Sequence, residues 1–182
     1  MAQGWFKLKN DENLKFYEKM YLFEIERREK INARLNLPMA VIVAIFGLIS
    51  YVFNFDTNSF TTCENFVFYI LLFIASISLF IACYHFKNCW SGVIDQYMPT
   101  AKDIQNYYQT LESTYAEFDE KEDLVKSYFN KFLLESYTEY GSFNAQNNDY
   151  RSEQLYFTVR ALSVSLFLAL IATIVLKIMA LT

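Results

Sequence analysis

The sequence predicts an all-α membrane protein, with three transmembrane helices and a cytoplasmic helical bundle on helices that extend from the membrane. Three observations carry this. Apolar residues make up 54% of the 182 and are segregated into three blocks. Only 4 glycines and 2 prolines interrupt the chain, which favours long helices over a turn-rich β fold. Basic residues crowd one side of the first two blocks and are absent between them, the charge asymmetry of a membrane hairpin.

Residues 1–36 are expected to be a cytoplasmic or interfacial segment. A helix is predicted from Asp11 to Leu35, capped by Asn10 or Asp11, with Asp11 and Glu12 in the first turn where the helix dipole favours acids. Leu14, Tyr17, Tyr21 and Ile25 recur at helical spacing and form its apolar face. Its second half brings Arg27, Arg28, Lys30 and Arg34 close to the bilayer, where each can meet anionic lipid at roughly 1 kcal/mol. As topology signals, the same four residues serve equally well. The segment lacks a short apolar core followed by a small-residue cleavage site, so a cleaved signal peptide is not expected. Pro38 suits the first turn of a new helix, which puts a bend at Asn36-Leu37.

The hairpin follows, with spans at 37–54 and 66–86 and an outer loop at 55–65. Crossing a hydrocarbon core of ~30 Å takes roughly 17–25 mostly apolar residues, which the second block supplies easily and the first at the short end. Lys7, Lys9, Lys15, Lys19, Arg27, Arg28, Lys30 and Arg34 precede the hairpin, whereas the loop carries only Asp56 and Glu64. The positive-inside rule then places the N-terminus in the cytoplasm and the loop outside, as does Lys87 beyond the second span. Cys63 lies in that loop and Cys83 and Cys89 at the inner end of the second span, too far apart for an intrachain disulfide. The third span, 158–182, contains Lys177, whose stem can snorkel to the headgroups and whose helix leads the C-terminus outward.

Residues 87–157 are expected to be cytoplasmic and helical. The second span is predicted to continue as helix to Met98 and to stop at Pro99. Thr100 with Asp103 resembles a capping box, and Ile104, Tyr107, Tyr108 and Leu111 share the face of the helix it opens. A further helix starts in the acidic run 119–123, carries Leu124, Tyr128, Phe132 and Leu133, and ends near Gly141. Ser142 to Asn148 reads as a polar break, after which Asn148 or Asp149 caps a last helix running into the third span. Arg151 and Arg160 are expected on nearly the same face of it. Arg160 would meet lipid phosphate and Arg151 an acid or a partner, making the pair the expected point of signal coupling or partner contact.

No catalytic residue, metal site or cofactor is predicted. His85 is the only histidine, so a nucleophile–histidine–acid site or a metal site would have to be built on it, with Cys89 as the one further ligand in reach. Glycine-rich phosphate and dinucleotide loops are absent from the sequence. The net charge of −4 argues against direct nucleic-acid binding. The expected partners are membrane lipid, a second copy of the chain, and a cytoplasmic protein or nucleotide signal. Homo-oligomer packing is expected through small-residue stripes at Ala161, Ser165 and Ala169 and at Ala40, Ala44 and Gly47, which let helix backbones approach closely in lipid. Packing within one chain would use the same residues.

Tyr17, Glu26-Arg27-Arg28, Asn32, Leu35 and Pro38, followed by a tight span hairpin, resemble the entry to SLATT-type membrane effectors of bacterial anti-phage systems. Asn144, Asn148-Asp149-Tyr150-Arg151-Ser152, Leu155-Tyr156, Arg160-Ala161-Leu162 and Ser165 are similar to a segment of small bacterial membrane proteins of that kind. Those effectors have two spans where three are predicted here. The resemblance implies an oligomeric inner-membrane effector, in which a partner enzyme or nucleotide signal opens or assembles a pore, depolarises the membrane and stops growth. A membrane-anchored sensor or scaffold holding a cytoplasmic partner is the alternative.

Overall fold

The computed structural model describes the backbone of residues 2–54 and 62–179 and the side chains of 12–54 and 65–178. The expected caps at Asn10 and Asp11, most of the outer loop, and the side chain of Cys63 lie outside the described residues. Five helices follow one another: α1 (Ala2–Arg34), α2 (Asn36–Phe53), α3 (Thr62–Ser91), α4 (Ala101–Thr114) and α5 (Lys121–Met179). All regular structure among the described residues is helical, and three helical stretches are long and apolar enough to cross a membrane. The protein is a multi-pass membrane protein.

The helices differ from expectation at four places. α1 starts at Ala2 rather than Asp11, because no proline between them stops a helix that later turns already nucleate. The interruption before the first span falls on Leu35 rather than Asn36-Leu37. Pro38 has no N–H to give the Arg34 carbonyl, so the ladder slips one residue earlier: Leu35 N–H donates to Asn32 O (3.1 Å) and Met39 N–H to Leu35 O (3.1 Å). Leu35 itself stays right-handed helical at φ −71°, ψ −21°. α3 stops at Ser91 rather than Met98, and residues 93–100 carry no regular secondary structure. α5 runs unbroken for 59 residues, through Gly141 and the asparagine-rich stretch where a helix end and a polar break were expected.

Packing divides the chain into two units, residues 1–29 with 94–148 and residues 30–93 with 149–182. In the first, α4 and the start of α5 form an aromatic hairpin. Thr100 caps α4, its hydroxyl accepting from Asp103 N–H at 3.3 Å, as the sequence suggests. Tyr107 meets Phe132 (4.5 Å between centroids), Tyr108 meets Phe129 (5.1 Å) and Tyr115 stacks on Tyr128 (5.3 Å). Leu111 and Val125 are buried between these rungs. α1 packs against α5 at Gly141, where Tyr21 Cα lies 3.6 Å from the place a β-carbon would take, an ordinary contact.

The second unit packs α2, α3 and the last part of α5. Val52, Phe68, Leu72, Ala172 and Leu176 make one buried cluster, and Ile45, Leu79, Ala82 and Leu162 a second. Two serines tie α3 to α5 in opposite directions. Ser78 Oγ donates to Ala161 O and Ser165 Oγ to Ala75 O, each at 2.8 Å. The approach is possible because Ala75, Ala82, Ala169 and Ala172 are buried small residues at that seam.

Candidate functional site: the buried polar residues of α5

One line of polar side chains runs down α5 at steps of three and four residues, Asn144, Asn148, Arg151, Gln154 and Thr158, with Asn147 beside it. All six are buried. A buried carboxamide or guanidinium is costly unless it is hydrogen-bonded, so each must have a partner.

In the first unit those partners are main-chain groups of the irregular strap 94–100 and, on α1, a main-chain carbonyl and a carboxylate. Asn144 Nδ2 donates to Gln96 O at 2.7 Å while its Oδ1 accepts from Gln96 N–H at 2.9 Å. The side-chain amide thus replaces the neighbouring strand that the strap lacks. Asn147 Nδ2 donates to Ile94 O (2.8 Å), and Tyr21 Oη accepts from Met98 N–H (3.2 Å). Asn148 is fully buried, and its Nδ2 is shared between Glu24 O (2.8 Å) and Glu24 Oε2 (2.9 Å). Arg28 clasps the strap from α1, with Nε 2.8 Å from Asp95 Oδ2 and a second nitrogen on the Tyr97 hydroxyl. Tyr137 packs on Tyr21 (5.7 Å), and burial, with Glu18 and Tyr21 nearby, pushes its phenol above the usual tyrosine value.

In the second unit, Arg151 is 4% exposed and donates through a terminal guanidinium nitrogen to Val93 O at 3.1 Å. Cys89 Sγ donates to Arg151 O (3.2 Å), and His85 Nδ1–H donates to Gln154 Oε1 (2.7 Å). Thr158 turns its hydroxyl back to Gln154 O. No protein-family model, no curated protein and no solved structure matches this chain.

The geometry of these residues holds main-chain segments in place. His85 is occupied by Gln154, and among the described residues no three histidine, cysteine, aspartate or glutamate side chains gather as metal ligands.

The expected sites fall into different surroundings. Arg151 is buried whereas Arg160 is exposed and lies over the Tyr156 ring (4.8 Å). The same-face expectation fails because nine residues at about 100° each amount to two and a half turns, which puts the two on opposite faces. Arg27 approaches Glu24 at 3.5 Å and Arg28 is engaged with Asp95, while Lys30 and Arg34 are exposed. Of the stripe expected between subunits, Ser165 and Ala169 are buried within the chain and Ala161 is half-buried. Ala40, Ala44 and Gly47 are exposed, and nothing stands within 4 Å of where a Gly47 β-carbon would be.

Glu24 opens a charge run, 24–30, that reads as solvated, yet it is buried; Asn147 and Gln154 carry no mark of their own in the sequence. The signal was there as a polar periodicity: residues 144, 148, 151, 154 and 158 repeat at helical spacing inside a stretch whose composition suggests a break.

Proposed function

We propose that the protein is an oligomeric inner-membrane component of bacterial anti-phage defence, a pore-forming or membrane-disrupting effector triggered by a cytoplasmic partner or nucleotide signal. The observation that carries this reading is that one unit contains both a set of buried polar contacts and the spans. Arg151 and Gln154 join α5 to Val93 and His85 a few turns before the apolar stretch of the same helix begins. A signal that loosens Val93 would act on α5 directly. The eight basic residues ahead of the first span support a cytoplasmic N-terminus. The exposed Ala40, Ala44 and Gly47 leave α2 open to close approach by a second copy.

The test uses cells carrying the gene with its neighbours, a potential-sensitive dye and phage. Wild type is expected to depolarise the membrane on infection and to reduce plaques, and Arg151→Gln to insert normally yet do neither. Absence of protection by the wild type would overturn the defence reading. For orientation, Cys63 in intact spheroplasts should react with an impermeant thiol reagent and a Ser127→Cys thiol should not.

A second reading, an anchored sensor or scaffold, is favoured by Phe16, Met20 and Phe23. These are exposed at steps of four and three residues on α1, the spacing of a helix that docks in a groove. It predicts crosslinking from position 23 to one specific protein with the membrane potential unchanged.

A further inference from the structure

We propose that the membrane unit holds one anionic phospholipid, with its phosphate at Arg34 and an acyl chain in a groove between the start of α2 and α5. The groove has a volume of about 370 Å³ and is walled by Leu37, Val41, Val159, Leu162 and Leu166, with Arg34 also on its lining. That volume falls within the roughly 300–1,000 Å³ of ligand sites. Its walls are apolar and open: Leu37 is 73% exposed, and Val159 and Leu166 are also exposed.

Length distinguishes a lipid from a protein helix as occupant. From Leu155 to Leu166 the α5 side of the groove rises about 16 Å, at 1.5 Å per residue. The hydrocarbon core is ~30 Å thick, so the groove is as deep as one leaflet. A transmembrane helix from a second copy would need a face that runs the full thickness; an acyl chain needs one leaflet.

Charge specifies the headgroup. Arg34 precedes Leu37 by about one helical turn and therefore stands at the end of the groove nearest the membrane boundary. It is exposed, and among the described residues it has no ion pair. A guanidinium presents a fork of donors that matches phosphate oxygens. The proposal rests on the three membrane-spanning helices alone. It is independent of the defence role and of which side the N-terminus occupies, so its failure would leave the proposed function standing, and the reverse.

The test is native mass spectrometry of the full chain in detergent with equal dioleoyl phosphatidylglycerol and dioleoyl phosphatidylcholine. Wild type should retain the anionic lipid about fivefold more than the zwitterionic one, the ratio set by one arginine at a headgroup. Arg34→Gln, a change at an exposed position, should bring the two lipids to parity. Val159→Trp should fill the groove and reduce retention of both at unchanged helix content. Parity in the wild type would overturn the proposal, and so would an undiminished preference in Arg34→Gln. Should Val159→Trp fail to fold, the Arg34→Gln comparison still decides.

Discussion

Replacing Asn148 by leucine tests whether the polar line on α5 stabilises the fold. Leucine has the same number and branching of heavy atoms, so no cavity forms and the main loss is that of the hydrogen bonds. Asn148 Nδ2 gives one bond to a main-chain carbonyl of Glu24 and one to its carboxylate, at 2.8 and 2.9 Å. A neutral bond is worth about 1 kcal/mol and one to a charged group about 1.5–3 kcal/mol, so the variant should lose about 2.5–4 kcal/mol. Glu24 is itself buried, and its carboxylate would keep only the Arg27 contact, at 3.5 Å, among the interactions described above. Pulse proteolysis in urea reads this as a midpoint lowered by about 1–2 M, for a slope near 2 kcal/mol/M. Replacing Glu24 and Asn148 together by leucine should recover much of the loss, since removing both partners spares the buried unsatisfied group. If Asn148→Leu unfolds within about 0.5 kcal/mol of wild type, the polar line contributes nothing measurable and the reasoning fails.

Gly141→Ala should stabilise the protein by about 0.5–1 kcal/mol, because the new methyl meets Tyr21 at 3.6 Å, ordinary contact, in mid-helix; a lowered urea midpoint would show that α1 cannot accept it. Ser165→Leu should cost about 1–3 kcal/mol through overpacking against Ala75, and native-size analysis should show a destabilised chain rather than a change in subunit number. Tyr137 carries a raised phenol, so its contribution is present below about pH 10, the ordinary tyrosine value, and is lost as pH rises through the folded value. Tyr137→Phe should flatten that alkaline fall in stability, and an unchanged slope would assign it elsewhere.

The spans were legible because burial in lipid leaves a contiguous signal: α2 and α3 follow runs free of charge, and Thr100 with Asp103 marked the start of α4. What sequence patterns could not reveal depends on partners far along the chain. Gly92 to Met98 holds a spacing that suits helix, yet it leaves the helix, and Asn144, 48 residues from Gln96, takes up the peptide groups of Gln96. The asparagines at 144, 147 and 148 are poor helix formers in water and read as a break. Their carboxamides find carbonyls on the strap and on α1, which leaves the helix with no reason to stop. Glu24, 124 residues from Asn148, carries no local mark of its burial.

The strap is read through its peptide groups, and this sets what can change over evolutionary time. Ile94 turns its side chain to the outside while its carbonyl accepts from Asn147, so hydrophobic and polar residues should exchange there at little cost. Asn144, Asn147 and Tyr21 have no such latitude. One inserted residue between Ile94 and Met98 would place donors where acceptors are needed, so the strap should vary in letters and hold in length.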